Sequence, residues 1–302
     1  MIRSVTCPFC HEPAIHEFRT HDVNRQVTTE QFSYFRCQAC GLIFLSPVPA
    51  NLESYYPNEY YDAMPCSRQR LDQIAEANRY QIEMVQRFIP AGRLLEIGPG
   101  PGTFAHLAKK SGFDVEVIEM SDRCCKYLTE VVGVQAINSS RPAEVLKTAA
   151  PKDVIALWHV IEHLPNAWEC LESAAHNLAP GGILLIATPN PDALQFHMMG
   201  SAWPHVDAPR HLYLIPASVV IRRLRPLGLE PVLLTTSDKG GQNWNRFGWQ
   251  RYFMNRFSSK PAQMVAFVVG YLISVPMALL ERRELKGSAY TCLLYTSPSP
   301  RD

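Results

Sequence analysis

Two apolar runs, with a glycine turn and a helical stretch between them, form the most legible unit of the chain. Leu94, Leu95 and Ile97 make the first run, Gly98-Pro99-Gly100-Pro101-Gly102 the turn, Thr103 to Ser111 the helical pattern, and Val115, Val117 and Ile118 a second run ending in Glu119. Short apolar runs bounded by turn residues predict buried strands, so the unit predicts strand, turn, helix, strand. The alternation then continues. Ser121-Asp122 caps a helix to about Val131, Val134 to Ile137 is a third strand, Pro142-Ala143-Glu144 starts a short helix, and Asp153 to Trp158 is a fourth strand. Asn166, with Glu169 three residues on, reads as a capping box for the next helix, which Pro180-Gly181-Gly182 stops before a fifth strand, Ile183 to Ala187. A helix near Pro216 to Pro226 and a sixth strand, Glu230 to Thr236, follow. Strands alternating with helices predict an α/β, doubly wound, mostly parallel sheet, whose ligands lie beyond the carboxyl ends of the strands. Gly98, Glu119, His159 and Asn190 all stand at such ends.

Three stretches lie outside this alternation. Arg68 to Ile89 sets Leu71, Ile74, Ala75, Ile82, Val85 and Phe88 at helical spacing and stops at Pro90-Ala91-Gly92, predicting one amphipathic helix. Leu42 to Asp62 is crowded with Pro, Asn and Tyr and reads as a connector that Tyr55, Tyr56, Tyr60 and Tyr61 pack onto the core. Pro261 to Leu280 carries no charge over about 20 residues, near the length that crosses a bilayer, although Gly270 and Pro276 interrupt it. Arg246, Arg251, Arg256 and Lys260 precede it, and Arg282, Arg283 and Lys286 follow. Positive charge on both flanks suits a segment dipping into an anionic membrane face. The alternative is a helix packed on the domain or on a second subunit.

Cysteine spacing adds a separate module. Cys7-Pro8-Phe9-Cys10 and Cys37-Gln38-Ala39-Cys40 are two knuckles around a hairpin-like segment (Val27, Gln31, Phe32, Tyr34, Phe35). Four thiolates so arranged close a tetrahedral shell around zinc, and a closed shell is structural. His11, His16 and His21 are then expected at the surface, and Cys66, Cys124, Cys125 and Cys170 as inert thiols. The 302 residues, 47% hydrophobic and 19% charged, allow one large domain with appendages or two domains. A net charge of +1 gives no case for a nucleic-acid partner. Met1 to Thr6 leads to Cys7 without an apolar leader pattern, and paired cysteines fit metal binding in a reducing compartment, so a cytoplasmic location is expected.

The glycine turn lets backbone approach a ligand, and an acid about 20 residues onward can accept hydrogen bonds from two ribose hydroxyls. A dinucleotide fingerprint would need a third glycine where Thr103 stands, and Pro99 and Pro101 remove two N–H donors that a pyrophosphate would require. A nucleoside without phosphate fits better than a dinucleotide or an empty core unit. Here the chain resembles the class I S-adenosylmethionine-dependent methyltransferases, whose E/D-x-G-x-G-x-G motif is met by Glu96, Gly98, Gly100 and Gly102, and whose E-H-L, P-G-G and P-N patterns are met by Glu162-His163-Leu164, Pro180-Gly181-Gly182 and Pro189-Asn190. Within them it resembles a bacterial group, related to the ubiquinone and menaquinone methyltransferase-like enzymes, with an N-terminal zinc ribbon and a C-G-L-x-F-x-x-P-x-P linker, as in Cys40 to Pro49.

The resemblance implies a seven-stranded Rossmann-like sheet and cofactor contacts from Glu96, Gly98, Gly100, Gly102, Glu119, Ala143 and His159. It also implies a helix covering the cleft ahead of the first strand. The expected divisions are a ribbon at 1–45, a linker and covering helix at 46–92, a methyltransferase domain at 93–245 plus 286–294, and a hydrophobic insertion at 246–285. Residues 292–302 resemble translated adapter sequence, so the last strand is expected to be truncated and no function is drawn from that tail. Methyl transfer needs a base only where the acceptor must lose a proton, and His159, His163, His205 and His211 are the candidates. His211 leads, with Arg210 as an anchor for an anionic acceptor, whereas His163 is expected mainly to orient its turn. The expected acceptor is a small molecule or a lipid-linked one, such as a quinone precursor or a surface glycan intermediate. The rival readings are an RNA methyltransferase with a zinc module, against which stands the absence of an N/D-P-P-Y motif after the fourth strand, and a non-catalytic nucleoside-binding scaffold.

Overall fold

A computed structural model describes residues 5–56 and 67–296; Tyr60, Tyr61, Cys66 and the tail at 297–302 lie outside the described residues. Four strands, β1 (Val5–Thr6), β2 (Pro13–Thr20), β3 (Phe32–Cys37) and β4 (Ile43–Leu45), build the N-terminal ribbon. β2 and β3 form the expected hairpin, with Ala14 opposite Cys37 and Thr20 opposite Phe32. The register sets Phe32 and Tyr34 inward, so the ribbon has an apolar face to bury.

The covering segment forms two helices, α1 (Arg68–Ala77) and α2 (Tyr80–Gln86), where one was expected. Asn78 breaks it by donating its side-chain N–H to the carbonyl of Ile74 at 2.9 Å, which competes with the helical ladder. Then the predicted alternation appears: β5 (Arg93–Ile97), α3 (Thr103–Lys110), β6 (Asp114–Glu119), α4 (Asp122–Tyr127), β7 (Gln135–Asn138), α5 (Pro142–Thr148) and β8 (Lys152–Trp158). α6 (Ala167–Asn177) and β9 (Leu178–Pro189) follow. The capping box at the start of α6 does not form: Asn166 makes no side-chain cap bond, and Glu169 is drawn to Lys147 at 2.7 Å.

The rest comprises α7 (Leu194–Met199), β10 (Tyr213–Leu214), α8 (Ala217–Leu224), β11 (Leu229–Thr235), α9 (Lys239–Met254), α10 (Lys260–Glu281) and β12 (Ala289–Thr296). The main sheet runs β11-β12-β9-β8-β5-β6-β7, parallel from β9 to β7, with β12 antiparallel between β9 and β11. The expected truncation of the last strand is corrected. β12 pairs from Ala289 opposite Pro189 to Tyr295 opposite Ile183, and its position inside the sheet demands apolar residues on both faces, which Cys292, Leu293 and Leu294 supply, all fully buried.

Ribbon and α/β unit share one interior. β10, from the loop after α7, adds to the ribbon sheet as a fifth strand beside β4, and Tyr34, Leu42 and Ile43 are buried in the same cluster as Trp203, Leu212 and Leu214. Arg210 fastens the junction. Its Nη1 and Nη2 donate to Asp22 at 3.1 and 2.6 Å, its Nε and Nη2 to Asp207 at 2.9 Å each, and its Nη1 to the carbonyl of Tyr55 at 3.2 Å. All five donors of a fully buried guanidinium are thereby used inside the protein. Arg210 is therefore a structural latch, and its expected role as an acceptor anchor is corrected.

Glu96 sits inside β5, buried, and its Oε2 has no hydrogen-bond partner. Burial pushes its carboxyl up to about 8, and nearby Glu119 adds to the rise, although the N–H of Ala105 opposes it. The folded chain thus holds a proton between about pH 4.5 and 8 that the unfolded chain releases, so stability falls as pH rises through that window, by at most about 1.4 kcal/mol per pH unit. Urea midpoints at pH 5 and pH 8 test this: Glu96→Gln, neutral at both, will show a smaller decline than the parent chain, and equal declines would refute it.

Candidate functional site

The three glycines of the turn do different work. At φ +65° and +70°, Gly98 and Gly102 adopt backbone that side chains rarely enter, and an added Cβ would lie 2.6 Å from Val160 and 2.5 Å from Leu128. These two permit packing of the turn against the segments after β8 and α4. Gly100, at φ +53°, has nothing within 4 Å of where its Cβ would be, so it lines open space. Beside it, the nearly buried carboxylate of Glu119 accepts the Gly100 N–H at 3.2 Å and the Ser121 N–H at 2.9 Å. Each oxygen keeps a lone pair for a further donor. Burial raises the Glu119 carboxyl above its usual range, against these N–H groups. The Ser139 N–H donates to the Glu119 carbonyl at 3.0 Å, tying down the end of β7, and Ala143 is buried in the first turn of α5. A glycine facing open space beside a carboxylate with lone pairs to spare fits a ribose, as the motif implied.

The second half of the site lies past β8. His159 takes a left-handed conformation (φ +55°) directly after the strand and brings its ring 4.6 Å from that of Trp244 on α9. Val160, packed on Gly98, joins the two halves. A cavity of about 520 Å³ opens here, lined by His159, Glu162, His163, His205 and His211, with Trp244 and Phe247 as an aromatic wall. A smaller cavity of about 180 Å³ shares His159 and Trp244 and adds Tyr80 and Trp158.

Glu162 is the anionic floor. Its Oε2 accepts the Thr188 hydroxyl at 3.0 Å and its Oε1 lies 3.6 Å from Nδ1 of His159. Burial alone would push this carboxyl up, but His159, His163 and His211 outweigh it and hold it at about 2. His163 directs Nδ1 at the Arg210 carbonyl (3.0 Å) and the Tyr56 hydroxyl (3.1 Å), and His211 directs Nδ1 at the His205 carbonyl (2.8 Å). A carbonyl only accepts, so both Nδ1 atoms carry the proton and both Nε2 atoms present lone pairs. Burial, then His211, pushes His163 down to about 4, so it is neutral at pH 7. Glu162, His163 and His211 bring one ligand atom each within 4.8 Å of the others, close enough to share a proton or a cation. His205 is fixed on the Trp244 carbonyl at 3.0 Å and pushed by burial to about 3.

The structure thus gathers His159, His163 and His211 around one cavity, and Glu96, Gly98, Gly100, Gly102 and Glu119 at the neighbouring strand ends. The loop from Trp203 to Leu212 is almost wholly buried, because ribbon and α9 cover it. Tyr56 packs as expected, yet also touches His163. Sequence reasoning missed Asn24, Arg25, Trp244, Phe247 and Arg251 as cavity residues. None lies in a motif, and only the folded chain carries the ribbon turn and α9 to the same opening.

In the ribbon, the sulfurs of Cys7 and Cys40 are 3.7 Å apart, those of Cys10 and Cys37 3.4 Å, and all four lie within 4.8 Å of one another. Zn–S bonds of about 2.3 Å in a tetrahedron place sulfurs roughly 3.8 Å apart, so the donor set fits zinc. The two knuckles match: the His11 N–H bonds the Cys7 carbonyl and the Gly41 N–H the Cys37 carbonyl, each at 3.0 Å, with His11 and Gly41 both at positive φ. His11, His16 and His21 are exposed, as expected.

Residues 68–234, more than half of the chain, match the family described as methyltransferase domain. The ubiquinone biosynthesis O-methyltransferase of Caulobacter sp. strain K31 is 33% identical over 103 residues, 32% of this chain and 41% of that protein. The protein of the same name from Bordetella avium is 26% identical over 168 residues, 51% of this chain and 70% of its own length. The chain therefore spans about two-fifths of the Caulobacter relative's length. A SAM-dependent methyltransferase from Archaeoglobus fulgidus superposes with a TM-score of 0.51 at 18% identity, over 74% of this chain and 94% of the other, a likeness of fold. By the match over residues 68–234, this chain belongs to the methyltransferase domain family, and its sheet is that of the class I S-adenosylmethionine-dependent members.

Proposed function

We propose that the chain methylates a small-molecule acceptor held in the cavity beneath Trp244, using S-adenosylmethionine. The observation that carries this reading is the open space at Gly100 beside Glu119, next to a cavity lined by imidazoles. Bound S-adenosylmethionine supplies an electrophilic methyl group on its sulfonium. Glu119 and the Gly100 backbone would hold its ribose, with Glu96, Gly98, Gly102, Ala143 and His159 bounding the site. The chain's own residues then position the acceptor and exclude water, which Trp244 and Phe247 do from one wall. His211 Nε2 takes the acceptor's proton and Glu162 stabilises the resulting imidazolium; His163 keeps the turn in place. The O-methyltransferase name of the relatives favours a hydroxyl acceptor. Calorimetric titration will show cofactor binding to the intact chain, lost in Glu119→Ala and Gly100→Val, and unchanged in His211→Asn; labelled methyl uptake from fractionated extracts will disappear in His211→Asn. No binding by the parent chain would sink the proposal.

We read residues 1–45 as a zinc ribbon roofing this cavity, 93–245 with 286–294 as the transferase domain, and 246–285 as an insertion. The purified chain will carry about one zinc, given four thiolates and no open position. Stripping it with a strong chelator will lower the melting temperature, and substituting Cys10→Ser will do the same; a metal-free chain with an unchanged melt would reject the zinc.

The insertion supports contact with an anionic lipid surface on the cytoplasmic side. α10 is apolar and long enough to cross a bilayer, and little of it is buried. Its small residues Ala266, Gly270 and Ser274 face α9, while Met264, Val265, Leu272 and Val275 are exposed. The connection to α9 is five residues long and contains Arg256, and at the other end Glu281 is buried against Gln195 and Trp249 at 2.8 and 2.9 Å. Crossing would drag that charged turn through hydrocarbon, so the hairpin lies in the interface, where Arg256, Lys260, Arg282 and Arg283 meet lipid headgroups. In flotation assays the chain will rise with phosphatidylglycerol vesicles and not with phosphatidylcholine ones, and Met264→Asp/Leu272→Asp will abolish this; equal behaviour with both lipids would refute it.

A further inference from the structure

Three side chains of the cavity make up a donor set that proton transfer alone does not need. Glu162 and His163 stand side by side in the turn after β8, and His211 comes from the loop before β10. One donor atom from each lies within 4.8 Å of the others. Donors bonded to one small divalent ion at about 2.1 Å stand roughly 3 to 3.5 Å apart, so a short inward movement brings all three onto a shared ion.

Each donor is already prepared for it. Glu162 is fully buried; its Oε2 takes the Thr188 hydroxyl at 3.0 Å, but its Oε1 accepts no hydrogen bond, since Nδ1 of His159 stays 3.6 Å away. A buried carboxylate oxygen without a donor is costly, and a cation beside it offsets that cost. The imidazoles are fixed through their other nitrogen. His163 donates Nδ1–H to the Arg210 carbonyl at 3.0 Å, and His211 donates Nδ1–H to the His205 carbonyl at 2.8 Å. A carbonyl on Nδ1–H leaves the lone pair on Nε2 and holds the ring still, which is how ligating histidines are oriented. The two rings lie 4.6 Å apart, centroid to centroid. All three residues line the cavity of about 520 Å³, so an ion held by them keeps positions open for water or a ligand oxygen. Two nitrogens and one carboxylate oxygen favour a divalent ion of the first transition series over magnesium or calcium, which prefer shells of oxygen alone.

We propose that Glu162, His163 and His211 bind a divalent transition-metal ion, at a site separate from the four cysteines of the ribbon. The ion takes the Nε2 lone pair of His211, the one that proton transfer requires, so the loaded chain is blocked in methyl transfer. The block rests on the reading of His211 as the base; the site does not.

Cobalt titration of the zinc-replete full chain, followed by calorimetry and absorption, tests the site. The parent chain will take up about one equivalent of Co²⁺ beyond the zinc, without a thiolate-to-cobalt charge-transfer band because no ligand is sulfur, and Mg²⁺ will not compete. His163→Asn and His211→Asn will each weaken uptake at least about 10-fold and together remove it, whereas His16→Asn, at an exposed ribbon position, will change nothing. A melting curve for each variant shows that it is folded, and His211→Asn decides the matter where His163→Asn does not fold. No uptake beyond exchange into the ribbon, or uptake unchanged on loss of the imidazoles, would overturn the site; Mg²⁺ bound as tightly as Co²⁺ would overturn its class. Methyl uptake by the parent chain will fall over the Co²⁺ concentrations that fill the site, and filling without that fall would overturn the block. Failure of the chain to bind S-adenosylmethionine would refute the methyltransferase reading alone, and the cobalt titration would still decide the metal site.

Discussion

A buried guanidinium holds the architecture together. Arg210 has no exposed surface, yet it carries a charge that Asp22 of the ribbon and Asp207 of the α/β unit neutralise. Removing one member of such a group leaves an uncompensated buried charge, at a cost of about 3–5 kcal/mol. The ribbon turn therefore has one tolerated position on the domain, and a fork with five fixed directions specifies it. Asn24 and Arg25 owe their places at the cavity to that docking, and so do the contact of Tyr56 with His163 and the alignment of the His163 ring with the Arg210 carbonyl.

The cavity is polarised along its length as a result. Its floor holds an ionised Glu162, stabilised by imidazoles and by Thr188, and its ribbon side holds Arg25 and Arg251. Between them the imidazoles of His163 and His205 are kept neutral by burial, so they impose direction through lone pairs and pinned N–H groups with little added charge. A basic nitrogen next to a buried carboxylate, within an aromatic enclosure, is an arrangement that accepts a proton and shares the resulting charge. α9 belongs to both this enclosure and the hairpin with α10, since Trp244 and Arg251 look into the cavity while Gly270 of α10 packs on the backbone of Gln250 behind them.

Much of this was legible in the residue order because the governing interactions are local or periodic. Leu94 to Ile97, Val115 to Glu119 and Val154 to Trp158 are mostly apolar because a parallel sheet is covered on both faces, with Glu96 and Glu119 the buried exceptions, and strand ends follow from where those runs stop. The paired cysteines and the three glycines sit at the short spacings of two knuckles and a tight turn. Local capping rules failed where a longer-range partner competed, as Lys147 did for Glu169 and as Asn78 did by turning back on its own helix.

The sequence by itself determined the class of fold, the cysteine knuckles, the glycine turn and the set of imidazoles, because each depends on neighbours within a few residues or on strand periodicity. Tertiary structure alone decided that Arg210 is a latch and not a ligand, that β12 is complete, and that Arg25 and Arg251 share a cavity. β12 is completed by the sheet neighbours it meets on either side, and the two arginine outcomes depend on residues 188 and 227 positions apart meeting across a buried interface, where desolvation makes every unpaired charge expensive and so selects one docking.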